Sequence, residues 1–142
     1  MTDLNKAKVL LIKNNYTCVL LNENEIYYST KRGVAPLIEF LETHKDFSGF
    51  IAADKTVGAG AAHLYVLMGV KKLWANIISE DGLDVLIKNN ISVSYNEKVP
   101  FIINRMGNDR CPIEKCLEGI SDSNEALEKI KIKLTELRND SI

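Results

Sequence analysis

The sequence predicts an α/β domain of three layers, in which helices cover both faces of a mixed sheet of about five strands. Two observations carry this prediction. Near the N-terminus, two short runs of strand-forming residues flank the polar turn 22–25, which indicates a β-hairpin. From residue 49 onward, three strands alternate with helices. Strands that are joined by a helix must be parallel, and consecutive strands are usually neighbours in the sheet.

Hydrophobic periodicity locates the individual elements. Leu4, Ala7 and Leu11 recur at helical spacing near the start of the chain. A later helix is almost entirely apolar, so we expect it to be buried. The last helix is amphipathic and is added after the sheet is complete. The predicted segments are helix 3–13, strands 16–21 and 26–29, a helix with Pro36 in its first turn, strand 49–53, helix 56–68, strand 72–78, helix 79–89, strand 91–95, an extended piece 99–103 and helix 122–138.

Length and composition indicate an ordinary globular protein. The 142 residues carry a net charge of −1 and are most simply one domain, with a core of residues 1–96 and a C-terminal extension of residues 97–142. The near-neutral charge argues against nucleic acid as a partner, and no apolar run is long enough to span a membrane. Three cysteines, an odd number, favour a reducing cytoplasm over a disulfide framework.

The order of elements over residues 1–96 resembles the cytidine-deaminase-like fold. Three short sequence segments point to one family within this fold: Gly-Val-Ala-Pro-Leu at 33–37, Asp-Lys-Thr-Val-Gly at 54–58 and Cys-Pro-Ile-Glu at 111–114. They are similar to those of an uncharacterised prokaryotic family, a domain of unknown function that has this fold and lacks the zinc motif.

In true deaminases two helix starts hold the zinc, one with a His-Ala-Glu motif and the next with Pro-Cys-x-x-Cys. The matching helix starts here are residues 33–36 and 55–58, and neither offers a histidine, a glutamate or a cysteine. The resemblance therefore does not carry over zinc-dependent deamination, and we expect no metal and no cofactor.

Cys111 and Glu114 are the candidate catalytic residues. Pro112 fits the first position of a helix, which would make Cys111 the N-cap residue. Unpaired amides and the helix dipole favour the thiolate at such a position. Glu114 could reach back to the Cys111 amide as in a capping box. The alternative is a capped short helix whose cysteine has no chemical role.

The candidate ligand-binding residues lie at the predicted start of helix 56–68. In open α/β sheets ligands bind at the carboxyl ends of the strands. Lys55 and the amides near Val57 and Gly58 could therefore hold a phosphate or carboxylate, with Asp54 beside them. Gly33 would shape the same pocket. Alternatively, Asp54 only caps the helix and Lys55 is solvated.

A polar cluster around Gly107 completes the candidate site. Asn104 and Arg105 could line the pocket together with Cys111, or the cluster could be a solvated turn. We expect the loop to return over the helix starts, so that Asp54, Lys55 and Cys111 share one pocket.

Two functional hypotheses remain open from the sequence. The first is a protein that binds an unidentified small molecule, or a thiol-dependent enzyme, with its pocket at these helix starts. The second is a non-catalytic interaction module whose C-terminal helix packs on a partner or a second copy. Helix 122–138 carries a stripe of leucine and isoleucine after the core is accounted for, and deaminase-like domains usually associate, so we expect a homodimer.

Overall fold

The computed structural model describes residues 2–43, 45–104 and 106–140, and contains one five-stranded sheet with six helices. The elements in chain order are α1 (Asp3–Lys13), β1 (Cys18–Leu21), β2 (Ile26–Ser29), α2 (Ala35–Glu42), β3 (Ile51–Val57), α3 (Ala59–Met68), β4 (Lys72–Ser79), α4 (Glu80–Lys88), β5 (Ser92–Val99), α5 (Pro112–Cys116) and α6 (Ser123–Asp140). The strand order in the sheet is β2-β1-β3-β4-β5.

The sheet topology confirms the prediction of a hairpin followed by three parallel strands. β1 pairs antiparallel with β2 on one side and with β3 on the other. β3, β4 and β5 are parallel neighbours, joined by α3 and α4 as crossover helices. The sheet is therefore mixed, with short β2 at one edge and β5 at the other.

Helices cover both faces of the sheet, as predicted. α1 lies on one face, where Ala7 and Leu11 pack against a small cluster of strand residues. That cluster contains Val19, Leu21, Ile51, Ala53 and Trp74. α3 and α4 pack together over the main core on the other face, with α2 beside α3. α5 and α6 then pack against α3.

Small residues let α3 lie deep in this assembly. Its side chains from Ala59 to Tyr65 are buried, which confirms the expected buried helix. A methyl group at Gly60 would lie 2.7 Å from Ile113 of α5 and 3.5 Å from Val34, so only glycine permits this approach. Gly69 ends the helix in the left-handed conformation with a φ of 81°, which glycine adopts without steric cost.

The predicted boundary between strand 49–53 and helix 56–68 is wrong. β3 continues to Val57, and α3 begins only at Ala59 after Gly58 as the N-cap. Thr56 and Val57 pair with Ile77 and Ile78 of β4, so pairing with a long neighbouring strand extends β3 through residues that resemble a helix start. Both Thr56 and Val57 are β-branched, which suits this extension.

The last strand is also longer than predicted. β5 runs to Val99 and pairs with β4 as far as Ser79, although its second half contains Asn96, Glu97 and Lys98. Most of its side chains are exposed, because β5 is an edge strand. Polar and charged residues are common in such strands, which limits unwanted pairing with other chains.

The apolar stripe of α6 is used within the chain. Ala126 and Ile130 are buried in the main core, and Leu127 and Leu134 pack against it. Because this apolar stripe packs within the chain, it no longer supports the expectation that α6 binds a second copy. None of the helices in the described ranges combines the length and the hydropathy needed to cross a membrane.

We predict that Gly82→Ala destabilises the protein although alanine favours helices. A methyl group at Gly82 would lie 2.9 Å from the Val57 carbonyl oxygen and 3.0 Å from the Gly58 carbonyl, which are backbone atoms with little freedom to move. The expected loss is about 1–3 kcal/mol in the free energy of unfolding, measured by urea denaturation. Asp81→Ala, at the exposed neighbouring position, should cost little. An increase of about 1 kcal/mol for Gly82→Ala, the usual helix gain, would contradict this packing.

Candidate functional site

Two helices begin side by side at the carboxyl ends of β3 and β4. Gly58 is the N-cap of α3, and Ser79 is the N-cap of α4, where its hydroxyl accepts a hydrogen bond from Gly82 N at 3.0 Å. Unpaired amides at helix N-termini attract anions. This edge of the sheet is where the sequence analysis located the ligand-binding pocket.

The carboxylate of Glu114 occupies that position. Its Oε2 accepts hydrogen bonds from Ala59 N at 3.0 Å and from the Ser79 hydroxyl at 2.5 Å. Its Oε1 accepts one from Ile102 N at 2.7 Å. Glu114 is 2% exposed, and its carboxylate occupies the first amide of α3, where an anionic ligand would otherwise bind.

Glycine and a short helix bring Glu114 into place. α5 has five residues, with Cys111 as N-cap and Pro112 in its first turn, as predicted. A methyl group at Gly58 would lie 2.9 Å from Oε2 of Glu114, so the absence of a side chain at residue 58 makes room for the carboxylate.

The predicted capping box between Glu114 and Cys111 is wrong. Cys111 N donates to the carbonyl oxygen of Ile102 at 2.7 Å, and Glu114 turns inward to α3 and β4 instead. The Cys111 side chain is half-buried and packs against the main core. Its proposed chemical role stays a prediction.

The structure does not bring Lys55 to Asp54 and Cys111. Successive side chains of a strand point to opposite faces. Asp54 accepts a hydrogen bond from the Tyr65 hydroxyl of α3 at 2.6 Å, whereas Lys55 extends to Asn15 Oδ1, at 3.5 Å, beyond the end of α1. Lys55 therefore lies on the face opposite Cys111. The predicted pocket shared by the three residues is wrong, because both Asp54 and Lys55 belong to the strand and not to a helix start.

Asp54 is instead a buried carboxyl group that forms no ion pair with any described residue. Its Oδ1 accepts from Thr56 N at 3.0 Å, and Cys18 is its partner in the β1–β3 register. Burial raises the pKa of Asp54 to about 7, although the hydrogen bonds from Tyr65, Thr56 and Lys55 act in the opposite direction. Burial and the nearby Asp54 also raise the pKa of the Tyr65 hydroxyl well above its usual value.

The other predicted ligand-binding residues are dispersed. Val57 is buried in the main core, and Gly33 lies in the loop before α2 with a φ of 75°. Asn104 donates to Asn108 Oδ1 at 3.0 Å within an exposed turn. Arg105 lies outside the described residues. These residues do not form one pocket around Cys111.

A shallow depression of about 250 Å³ lies elsewhere, at the opposite ends of the strands. Its lining residues are Asp3, Leu21, Asn22, Glu23, Asn24, Gly49, Ile51 and Lys71. None of them was a predicted site residue. Within the described ranges, no three histidine, cysteine or acidic side chains are grouped closely enough to hold a metal ion.

Sequence reasoning missed two residues of these polar clusters. Ser79 was predicted only as the start of a helix, although the pattern Ser-Glu-Asp is typical of a capping residue followed by an acidic first turn. Tyr65 belongs to the predicted helix 56–68, whose nearly apolar sequence indicates only that it is buried. No local pattern indicates that its hydroxyl meets Asp54.

We predict that Glu114→Gln lowers the free energy of unfolding by about 3 kcal/mol. The glutamine side chain retains one acceptor oxygen and presents an NH₂ group to donors that now face the carboxylate, so at least one buried donor loses its partner. Urea denaturation measures the loss. Glu128→Gln, on the exposed side of α6, is the matched control and should change stability by less than about 0.5 kcal/mol. Equal effects of the two substitutions would contradict the assigned role.

Asp54 should make the stability of the protein depend on pH. Its pKa is about 7 in the folded protein against an ordinary 3.8, so the fold favours the protonated form. The contribution of protonated Asp54 to the free energy of unfolding is fully present below about pH 4. It is lost as the pH rises through about 7. The loss amounts to about 4 kcal/mol.

Urea denaturation between pH 4 and 8 tests this expectation. Asp54→Asn should remove most of the slope, whereas Asp84→Asn, at an exposed position of α4, should leave it unchanged. Parallel curves for the wild-type protein and Asp54→Asn would mean that Asp54 is ionised at no cost to the fold.

Comparisons with known proteins identify the family. The profile of a family described as a domain of unknown function (DUF1893) matches residues 6–134. The crystal structure of a DUF1893 family protein from Thermotoga maritima superposes with a TM-score of 0.83 and 26% identity, over 96% of this chain and 91% of that protein. A dCMP deaminase from the cyanophage S-TIM5, in apo form, aligns with a TM-score of 0.43 and 15% identity, over 68% of this chain and 93% of its own. A search of curated proteins gave no match.

The profile match covers most of the chain, and it confirms the resemblance that the segments at 33–37, 54–58 and 111–114 indicated. The chain belongs to the DUF1893 family of domains of unknown function.

Proposed function

We propose that the protein is a non-catalytic interaction module that binds a second copy of itself through the loop of residues 101–104 and 106–110. We call it the apolar loop after the exposed side chains of Phe101, Ile103 and Met106, although it also contains the polar cluster around Gly107. One observation carries the proposal. Phe101, Ile103 and Met106 are 39%, 49% and 83% exposed, although they lie on a loop whose base is fixed to the core. Exposed apolar side chains that are grouped on a fixed loop are typical of a protein–protein contact.

Several contacts hold the described part of the loop in place. Ile102 N donates to Glu114, and the Ile102 carbonyl accepts from Cys111 N. Ile103 pairs with Arg110 across the loop, and the Arg110 guanidinium lies 5.2 Å from the centre of the Phe101 ring. A loop that is ordered before binding loses less conformational entropy when a partner binds.

The polar surroundings of the loop favour a second copy as the partner. Arg110 forms an ion pair with Glu118, and Lys115 pairs with Asp109 at 3.0 Å. The charges of Asp109 and Arg110 are therefore compensated within the chain, so the described part of the loop has little excess charge with which to select an oppositely charged protein. An interface between identical copies needs a surface that is complementary to itself, and the exposed apolar side chains of Phe101, Ile103 and Met106 meet this condition.

The geometry gives less support to the small-molecule and thiol-enzyme hypotheses. The carboxyl edge of the sheet, where such a pocket was expected, contains the Glu114 carboxylate bound to Ala59 N and the Ser79 hydroxyl. Cys111 and Lys55 lie on different faces of the sheet. We also propose a cytoplasmic location, in keeping with three cysteines that are all free.

Ile103→Glu and Met106→Glu should each shift the protein from dimer to monomer, because a carboxylate would be buried at the contact without a partner. We expect the dimer dissociation constant to rise at least tenfold, measured by light scattering over a range of protein concentrations. Ile132→Glu is the matched control, since Ile132 is 59% exposed on α6 and lies outside the loop. It should leave the dimer intact.

A monomeric wild-type mass at about 100 µM protein would rule out self-association as the function. If Ile132→Glu dissociates the dimer and Met106→Glu does not, the interface lies on α6 and not on the apolar loop. Circular dichroism of each variant shows whether the fold is retained, so that loss of association is not confused with unfolding.

A further inference from the structure

A buried histidine lies where α6 begins. His63 of α3 is 1% exposed, and its Nδ1 lies 2.9 Å from the hydroxyl oxygen of Ser123, the first residue of α6. The other ring nitrogen, Nε2, is buried and has no hydrogen-bond partner among the described residues. The ring therefore contacts the start of α6 through the Ser123 hydroxyl, and no described group meets Nε2 in hydrogen-bonding geometry, although the Ile120 backbone is near enough to favour the protonated ring.

α6 is the last helix of the chain, and its main neighbours are α3 and α5. Ala126 and Ile130 supply its buried contacts, and the ion pair between Lys131 and Glu42 is long, at 3.9 Å, and exposed. A helix whose contacts are mainly with two other helices rather than with strands can open without unfolding of the sheet. The hydrogen bond between His63 and Ser123 at its first turn adds to the burial of Ala126 and Ile130 in holding the helix in place.

We propose that His63 is an acid-sensitive latch for α6: the neutral imidazole holds the start of the helix on α3, and protonation of the ring releases it. A protonated ring would place a charge in the core and would leave the Nε2–H donor unpaired. It would also place a positive charge beside the N-terminal end of α6, where the helix dipole is positive. The free energy cost falls on the α3–α6 contact and not on the sheet.

The groups around the ring decide the pH range. Burial lowers the pKa of His63 and is the largest effect, while the Ile120 carbonyl and the Asp122 carboxylate act in the opposite direction. Asp122 belongs to the start of α6, where its side chain accepts from Glu125 N at 3.2 Å. Among the described residues, α2, α4, α5 and β3 contribute no charged side chain that shifts this pKa.

The direction of the effect follows from the lowered pKa. The neutral ring is present in both folded and unfolded chains above about pH 6.5, so the docked helix is most stable there. As the pH falls from about 6.5 to the folded-state pKa, the docked state loses stability relative to the open state, and the loss is complete below that pKa. Between the two pKa values the opening equilibrium should rise up to tenfold per pH unit, because opening then binds one proton.

Two measurements on the full chain test the latch. NMR titration of the His63 ring should give a pKa below 6.5, and hydrogen exchange of the α6 amides, corrected for the intrinsic rate, should rise as the pH falls from about 6.5 to that pKa and level off below it. The amides of α1, on the opposite face, should not show this rise. His44→Gln, at the only other histidine of the chain, should leave the α6 response unchanged, whereas His63→Gln should abolish it.

The proposal fails if His63 titrates at its ordinary value, or if α6 exchange does not rise between about pH 6.5 and the folded-state pKa. It also fails if α1 and α6 open together, since acid would then unfold the whole domain. Should His63→Gln not fold, the wild-type titration and exchange curves still decide the question, because they require no substitution.

Discussion

The carboxylate of Glu114 connects parts of the chain that are far apart in sequence. It accepts hydrogen bonds from the start of α3, from the N-cap hydroxyl of α4 and from the loop after β5, while its own helix, α5, packs on α3. Hydrogen bonds to a buried carboxylate are stronger than those between neutral groups, and donors left without it would be costly. The C-terminal extension is thus part of the core of this fold, since it supplies an acceptor for the first amide of α3 and for the N-cap hydroxyl of α4.

The sequence predicts the order and type of the elements well, because hydrophobic periodicity is a local property. The hairpin, the alternation from residue 49 onward and the buried α3 all follow from it. The boundaries of β3 and β5 do not. The Asp-Lys-Thr segment resembles a helix start, and the polar second half of β5 resembles a loop, but pairing with the eight-residue β4 keeps both segments extended. Such pairing is a tertiary effect that no local pattern contains.

The candidate site was predicted in part for the same reason. The sequence draws attention to Glu114, but its partners are Ala59 and Ser79, which are 55 and 35 residues away. The error at β3 had a larger consequence. A helix start at Thr56 would have placed Asp54 and Lys55 near one helix N-terminus, whereas alternation along a strand sends them to opposite faces. The predicted pocket of Asp54, Lys55 and Cys111 was therefore wrong because one boundary, between β3 and α3, was predicted too early.

The Glu114 carboxylate has two effects. It occupies the anion position at the start of α3, and it holds the base of the exposed apolar loop. In open α/β sheets the carboxyl ends of the strands usually face a ligand from solution. Here the Glu114 carboxylate of the chain itself occupies that position. The same carboxylate accepts a hydrogen bond from Ile102 N, and this bond fixes the base of the loop. The Ile102 side chain lies inward, against Gly58, and the side chains of its neighbours Phe101 and Ile103 are exposed. Side chains that alternate along an extended segment explain this arrangement. The interaction that removes the usual binding site thereby orders the surface through which we propose that the protein associates.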